Sequence, residues 1–264
     1  MRHAITEPLE PRRLLAADLA VSAVAANVPA EAIVGLKVKA SPVVTVTNLG
    51  DETFRGRTTV ELFLSADHEF DPSDVPLLTT TAKLKLAPGK TKAIKLKVRA
   101  FPDAADGEYH VVACANGDGA VVEADFSDNV AVDELNHVAL ARPRMDLTAA
   151  FNTVPAEARR GKSVSLTVDV GNIANVPATG RVTFAIAAST DTEVDAVGTP
   201  LAVAAAKIKV QPDGIGTVKL KFKVPAEFPA GTYFLVGTVD STNVLAETDE
   251  ANNGFPGFST ITIG

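Results

Sequence analysis

The chain has 264 residues, 46% of them hydrophobic, which is enough apolar material for two domains of ordinary size and excludes a disordered polypeptide. A formal net charge of −7 argues against general nucleic-acid binding, because neutralising phosphates needs a surplus of Lys and Arg. With 5% aromatic residues and no Trp, the cores must be built mainly from Val, Leu, Ile and Ala, side chains suited to sheets.

Residues 1–17 contain Glu7-Pro8-Leu9-Glu10-Pro11-Arg12-Arg13-Leu14-Leu15, a charged, proline-bearing stretch without periodicity, and are expected to form a mobile N-terminal segment. The alanine-rich stretch that follows is interrupted by Asp18, Asn27 and Glu31, so it falls short of the roughly 20 apolar residues that cross a bilayer. It is read as a strand rather than as the hydrophobic part of a secretory signal. A first domain is predicted over 18–140, with strands at 38–46, 58–64, 83–86, 91–98, 109–115 and 130–138. Ser41-Pro42 interrupts the 38–46 run and is expected to mark a bulge or an edge break, since proline cannot donate to a ladder. A short linker, 141–145, carries Arg142-Pro143-Arg144 and predicts a restricted hinge.

The second domain, 146–264, shows the cleanest alternation. Val164, Leu166, Val168 and Val170 take one face of a strand, and Ser163, Ser165, Thr167 and Asp169 take the other. It also repeats the first. The only two tyrosines, Tyr109 and Tyr233, lie 124 positions apart, each two residues after a glycine, Gly107 or Gly231. The same offset carries Asn48 onto Asn172, Ser65 onto Ser189, Asp67 onto Asp191, Pro88 onto Pro212 and Glu123 onto Glu247. Short strands divided by Gly, Pro, Asn and Asp then predict an all-β chain of two tandem immunoglobulin-like antiparallel β-sandwiches. Gly-x-Tyr after a turn fits the start of strand F, where a tyrosine hydroxyl ties to nearby backbone, so Tyr109, Tyr233, Gly107 and Gly231 are assigned structural roles. Val111 and Leu235 stand where a bridging cysteine would be, and the single Cys114 reads as a small apolar strand residue.

A set of motifs stands out: Asn48-Leu49-Gly50, Ser65-x-Asp67-x-x-x-Asp71-x-x-Asp74, Pro88-Gly89, Gly107-x-Tyr109 and the segment from Asp240 through Glu247, Glu250, Asn252 and Asn253. On these residues each copy resembles the bacterial CARDB family, a cell-adhesion-related immunoglobulin-like module. Copy one departs in the last segment, with Asn116 for the aspartate and Asp128-Asn129 for the paired asparagines, and copy two has Gly198 in place of Asp74. Residues 9–15 are also similar to the LEPR-type segment on surface or exported proteins of planctomycetes. The two resemblances together imply an extracellular or cell-surface setting and a non-catalytic role in adhesion or scaffolding, with other surface proteins as partners.

Catalysis has little to work with. His3, His68, His110 and His137 are scattered and none recurs in copy two, and no nucleophile, zinc or phosphate-loop motif is present. The acidic loops support an alternative role as a calcium-dependent or carbohydrate-binding module. Asp67, Asp71 and Asp74, with Asp103 and Asp106, are expected near Glu247, Asp249 and Glu250 at the domain junction, offering oxygens to calcium, which takes roughly six to eight. Aspartates that cap turns would look the same. Lysines at alternate positions, Lys83, Lys85, Lys95 and Lys97, then Lys207, Lys209, Lys219 and Lys221, predict a basic outer face on adjacent strands of each domain, suited to a polyanion such as an acidic polysaccharide. Lysine on exposed strands also blocks edge-to-edge aggregation.

Overall fold

The computed structural model describes residues 16–123, 125–194 and 198–264. The stretch 9–15, and all of the predicted N-terminal segment except residues 16 and 17, lie outside the described residues. The chain divides into two units, residues 1–142 and 143–264. The fold is all-β: among the described residues the only helical element is one 3-10 turn, Ala251–Asn253, and no helix is long and apolar enough to cross a membrane.

The first unit is built from β1 (Leu19–Ala25), β2 (Glu31–Ile33), β3 (Val43–Asn48), β4 (Phe54–Ser65), β5 (Val75–Leu86), β6 (Thr91–Lys95), β7 (Gly107–Ala115) and β8 (Val130–Ala141). Three strands form one sheet in the order β1-β3-β6, and five form the other in the order β2-β8-β7-β4-β5. Every neighbour pair is antiparallel except β2 with β8. The period of two decides which side chains enter the core: along β4, Phe54, Val60, Leu62 and Leu64 are buried while Arg55 and Arg57 are exposed. They meet Val111, Ala113, Val138 and Phe101 in one cluster.

The second unit follows with β9 (Leu147–Thr153), β10 (Glu157–Ala158), β11 (Ser163–Asn172), β12 (Ala178–Ser189), β13 (Thr199–Val210), β14 (Gly214–Lys223), β15 (Gly231–Thr238) and β16 (Gly254–Ile263). Its sheets run β9-β11-β14 and β10-β16-β15-β12-β13, so the two strand orders correspond term by term. Even the irregularities correspond. The ladder slips between Leu62 and Phe63 and again between Ile186 and Ala187, then between His110 and Val112 and again between Phe234 and Val236. A bulge inserts one residue and re-aims those beyond it, so matching bulges keep matching faces inward. Phe184, Ile186, Leu235, Phe255 and Ile261 form the second, separate core.

The predicted strand at 83–86 is the end of a 12-residue β5. In the run at 38–46 the continuous ladder starts at Val43, directly after Pro42, whose carbonyl accepts the Leu96 N–H at 2.8 Å, and an isolated bridge pairs Ala40 with Val98 ahead of it. Pro42 therefore interrupts the ladder between Ala40 and Val43, because it has an acceptor to offer and no donor.

Candidate binding faces and acidic loops

An asparagine at matching places in the two units is a structural bracket. Asn48, fully buried, donates from Nδ2 to the carbonyls of Glu52 at 2.7 Å and Leu86 at 3.0 Å, and its Oδ1 accepts the N–H groups of Asp18 and Gly50, both at 3.1 Å. Asn172 accepts from Asp146 and Ala174 and donates to the Val176 carbonyl at 2.7 Å. The tyrosines serve a second bracket: Tyr109 Oη donates to the Ala105 carbonyl at 3.1 Å, and Tyr233 Oη to the Pro229 carbonyl at 3.3 Å. A Cβ on Gly231 would fall 3.0 Å from the Tyr233 ring, so glycine leaves room for the ring to fold back; at Gly107 the gap to the Tyr109 ring is an ordinary 3.7 Å.

The carboxylates after β4 hold their own loop. Asp67 Oδ1 lies 3.0 Å from Ser65 Oγ and accepts the Glu69 N–H at 3.1 Å. Asp71 Oδ1 accepts both the hydroxyl and the N–H of Ser73 at 2.6 Å, and these bonds hold its carboxyl below the usual range. Asp74 Oδ2 accepts the Asp71 N–H at 3.3 Å, and partial burial pushes that carboxyl up. In the second unit Ser189, Asp191 and Glu193 reproduce the Ser65–Asp67–Glu69 turn. Asp103 and Asp106 gather around Arg142, whose Nε stands 3.6 Å from Asp103 Oδ1 and whose N–H donates to Asp106 Oδ1 at 2.8 Å.

The acids before β16 also brace the fold. Glu247 accepts the Leu147 N–H on Oε2 at 2.6 Å and Asn253 Nδ2 on Oε1 at 3.3 Å; Glu250 accepts the Glu247 N–H, and Asp249 the Ala251 N–H. Burial, with the charges of Glu250 and Asp240 added, pushes Glu247 up to about 7. Glu123 does the same work in the first unit, accepting the Leu19 N–H at 2.9 Å and the Asn116 and Asn129 amides at 2.8 Å, and burial raises it too. Among the described residues, no group of three or more His, Cys, Asp or Glu is arranged to hold a metal ion. Cys114 is buried and its thiol is pushed up to about 11 by that burial, then by Glu61 and Glu123, which makes it a poor nucleophile.

The lysines require a correction. All eight are exposed, but Lys83 and Lys85 lie on β5 of the five-stranded sheet, whereas Lys95 and Lys97 lie on and just after β6 of the three-stranded sheet. Lys207 and Lys209 on β13 are separated in the same way from Lys219 and Lys221 on β14. The strands are consecutive in sequence yet not hydrogen-bonded neighbours, because the turn at Pro88-Gly89 hands the chain from one sheet to the other. The neighbour of β5 is β4, and the register sets Arg55 opposite Lys85 and Arg57 opposite Lys83. Sequence reasoning missed these arginines, although the alternation Arg55-Gly56-Arg57 was a signal for one strand face.

It also missed a histidine stack. His68, after β4, lies with its ring centroid 3.6 Å from that of His110 on β7, and His110 is 5.7 Å from its register partner His137 on β8. His110 Nδ1 lies 3.1 Å from the Asp133 carbonyl oxygen.

The CARDB family model matches residues 16–133, a span inside the first unit. Among solved structures, the crystal structure of a CARDB domain from Pyrococcus furiosus in complex with di-metal ions is similar at 22% identity, covering 48% of this chain and 96% of that one, with a TM-score of 0.32. A solution structure of a CARDB domain from the same organism gives 19% identity over 46% of this chain and 96% of that one, at a TM-score of 0.30. Red sea bream transglutaminase is similar at 16% identity over 96% of this chain and 32% of its own, also at 0.30. No curated protein matches the chain.

Proposed function

We propose that the CARDB domain found over residues 16–133 is the first of two such modules, and that the pair acts as a non-catalytic adhesion or scaffolding element outside the cell or on its surface. The observation that carries this reading is the CARDB match itself, since that family supports a cell-adhesion-like module. The second module is supported by the equal strand orders of the two units and by ladder slips recurring 124 positions later. Brackets that spend buried asparagines, tyrosines and carboxylates on fixing loops suit a rigid spacer, because satisfied polar networks stiffen a fold. An export setting is supported by the resemblance of residues 9–15 to the LEPR-type segment.

Beads coated with the full chain, offered to envelope fragments of the cells that make it, test the reading. Retention above that of beads coated with an unrelated β-sandwich is the expected result; equal retention contradicts an adhesive role.

A further inference from the structure

We propose that the outer face of the β4–β5 ladder in the first unit is a binding site for an acidic polysaccharide, held by Arg55, Arg57, Lys83 and Lys85. This deepens the adhesive reading by naming a partner class, and rests on that reading only for the setting in which such a polymer is met.

The register makes the site. Arg55 faces Lys85 and Arg57 faces Lys83, so four exposed cations form two rows, with side chains about 5 Å apart across the ladder and about 7 Å apart along each strand. None of the four is in an ion pair among the described residues. Like charges placed directly opposite on a sheet repel. Protecting the edge strand β5 from aggregation accounts for its lysines, but the facing arginines add repulsion without adding protection. Such a patch in a chain of net charge −7 is satisfied by a polyanion supplied from outside. The second unit keeps three of the four: Arg181 faces Lys207, and Lys209 faces Thr179.

The next rows choose among polyanions. Beyond the cations come Thr59 opposite Thr81 and then Glu61 opposite Thr79. No aromatic side chain stands in these four rows, so the face lacks the platforms on which bases of a single-stranded nucleic acid stack. It also lacks apolar side chains to enter a bilayer. Cations beside hydroxyl-bearing side chains on an exposed sheet face fit the acidic groups and hydroxyls of a polysaccharide.

The test uses the full chain and heparin as the probe, with the variant R55Q/R57Q/K83Q/K85Q compared with K90Q/K92Q/K95Q/K97Q, which loses the same charge at and around β6. The expected result is salt-sensitive heparin binding that the first variant weakens by about tenfold and the second leaves within about twofold. Thermal melting checks folding; if the first variant fails to fold, K83Q/K85Q alone carries the comparison, with a smaller loss expected. Equal loss in both variants, no loss in either, no heparin binding by the native chain, or tighter binding to duplex DNA or phosphatidylserine vesicles overturns the assignment. Heparin binding can fail while envelope retention persists, and the reverse, so the two readings stand or fall separately.

Discussion

The carboxylate of Glu247 accepts the backbone N–H of Leu147 at 2.6 Å, tying the approach to β16 to the first strand of the second unit. Its carboxyl is raised from about 4.5 in the unfolded chain to about 7 in the fold, chiefly by burial. An acid with a raised folded value binds more protons folded than unfolded, so its stabilising contribution is full below about pH 4.5 and is lost as pH rises through about 7. After discounting for its half-exposed position, the loss is about 1 kcal/mol. Glu247→Gln should remove this component: between pH 4.5 and 8 its melting temperature should fall less with pH than that of the native chain. Parallel curves would contradict the assignment.

Asn48→Ala removes four hydrogen bonds from a fully buried side chain and leaves the Leu86 carbonyl and the Asp18 N–H without that partner. A loss of about 2–4 kcal/mol is expected by denaturant unfolding. Asn172→Ala should cost less, since its bonds to the Asp146 and Ala174 N–H groups are longer, 3.4 and 3.3 Å.

The two tyrosine hydroxyls differ in setting. Tyr109 is buried and its bond to Ala105 is 3.1 Å, whereas the Tyr233 bond to Pro229 is exposed and 3.3 Å long. Tyr109→Phe should therefore cost about 1 kcal/mol and Tyr233→Phe less, measured by chemical denaturation of each single variant.

The calcium reading of the acidic loops meets carboxylates that already hold their own turns. Asp67, Asp71 and Asp74 accept from Ser65, Glu69, Ser73 and Asp71 within one loop, and Asp103 and Asp106 attend Arg142. Chelator should leave the melting temperature unchanged, and added calcium should not raise it. A calcium-dependent rise would mean that these oxygens regroup around an ion.

The fold was legible because period-two alternation and a fixed offset show in single residues: Val164 to Val170 spell one strand, and Tyr109 with Tyr233 mark corresponding strands, β7 and β15, of the two units. The sites were less legible. Lysine alternation marks a strand face, but which strands share a sheet depends on long-range pairing, so β5 and β6 looked like neighbours when β4 is the partner of β5. Arg55 and Arg57 lie 26 to 30 positions from the lysines that they face, and His110 on β7 meets His68 from the loop after β4 and His137 from β8. Neither grouping has a local sequence signature.

Cross-strand cysteine pairs test the shared plan most directly. Thr59 faces Thr81 in the first unit, and the corresponding pair 124 positions later, Thr183 and Ala205, face each other in the second. Directly opposed residues on antiparallel strands lie within disulfide range. Mild oxidation of T59C/T81C and of T183C/A205C should close one intrachain disulfide in each, with folding retained. Closure in the first unit alone, or faster closure in a slipped pair such as T59C/K83C, would show that the two sandwiches do not share one register.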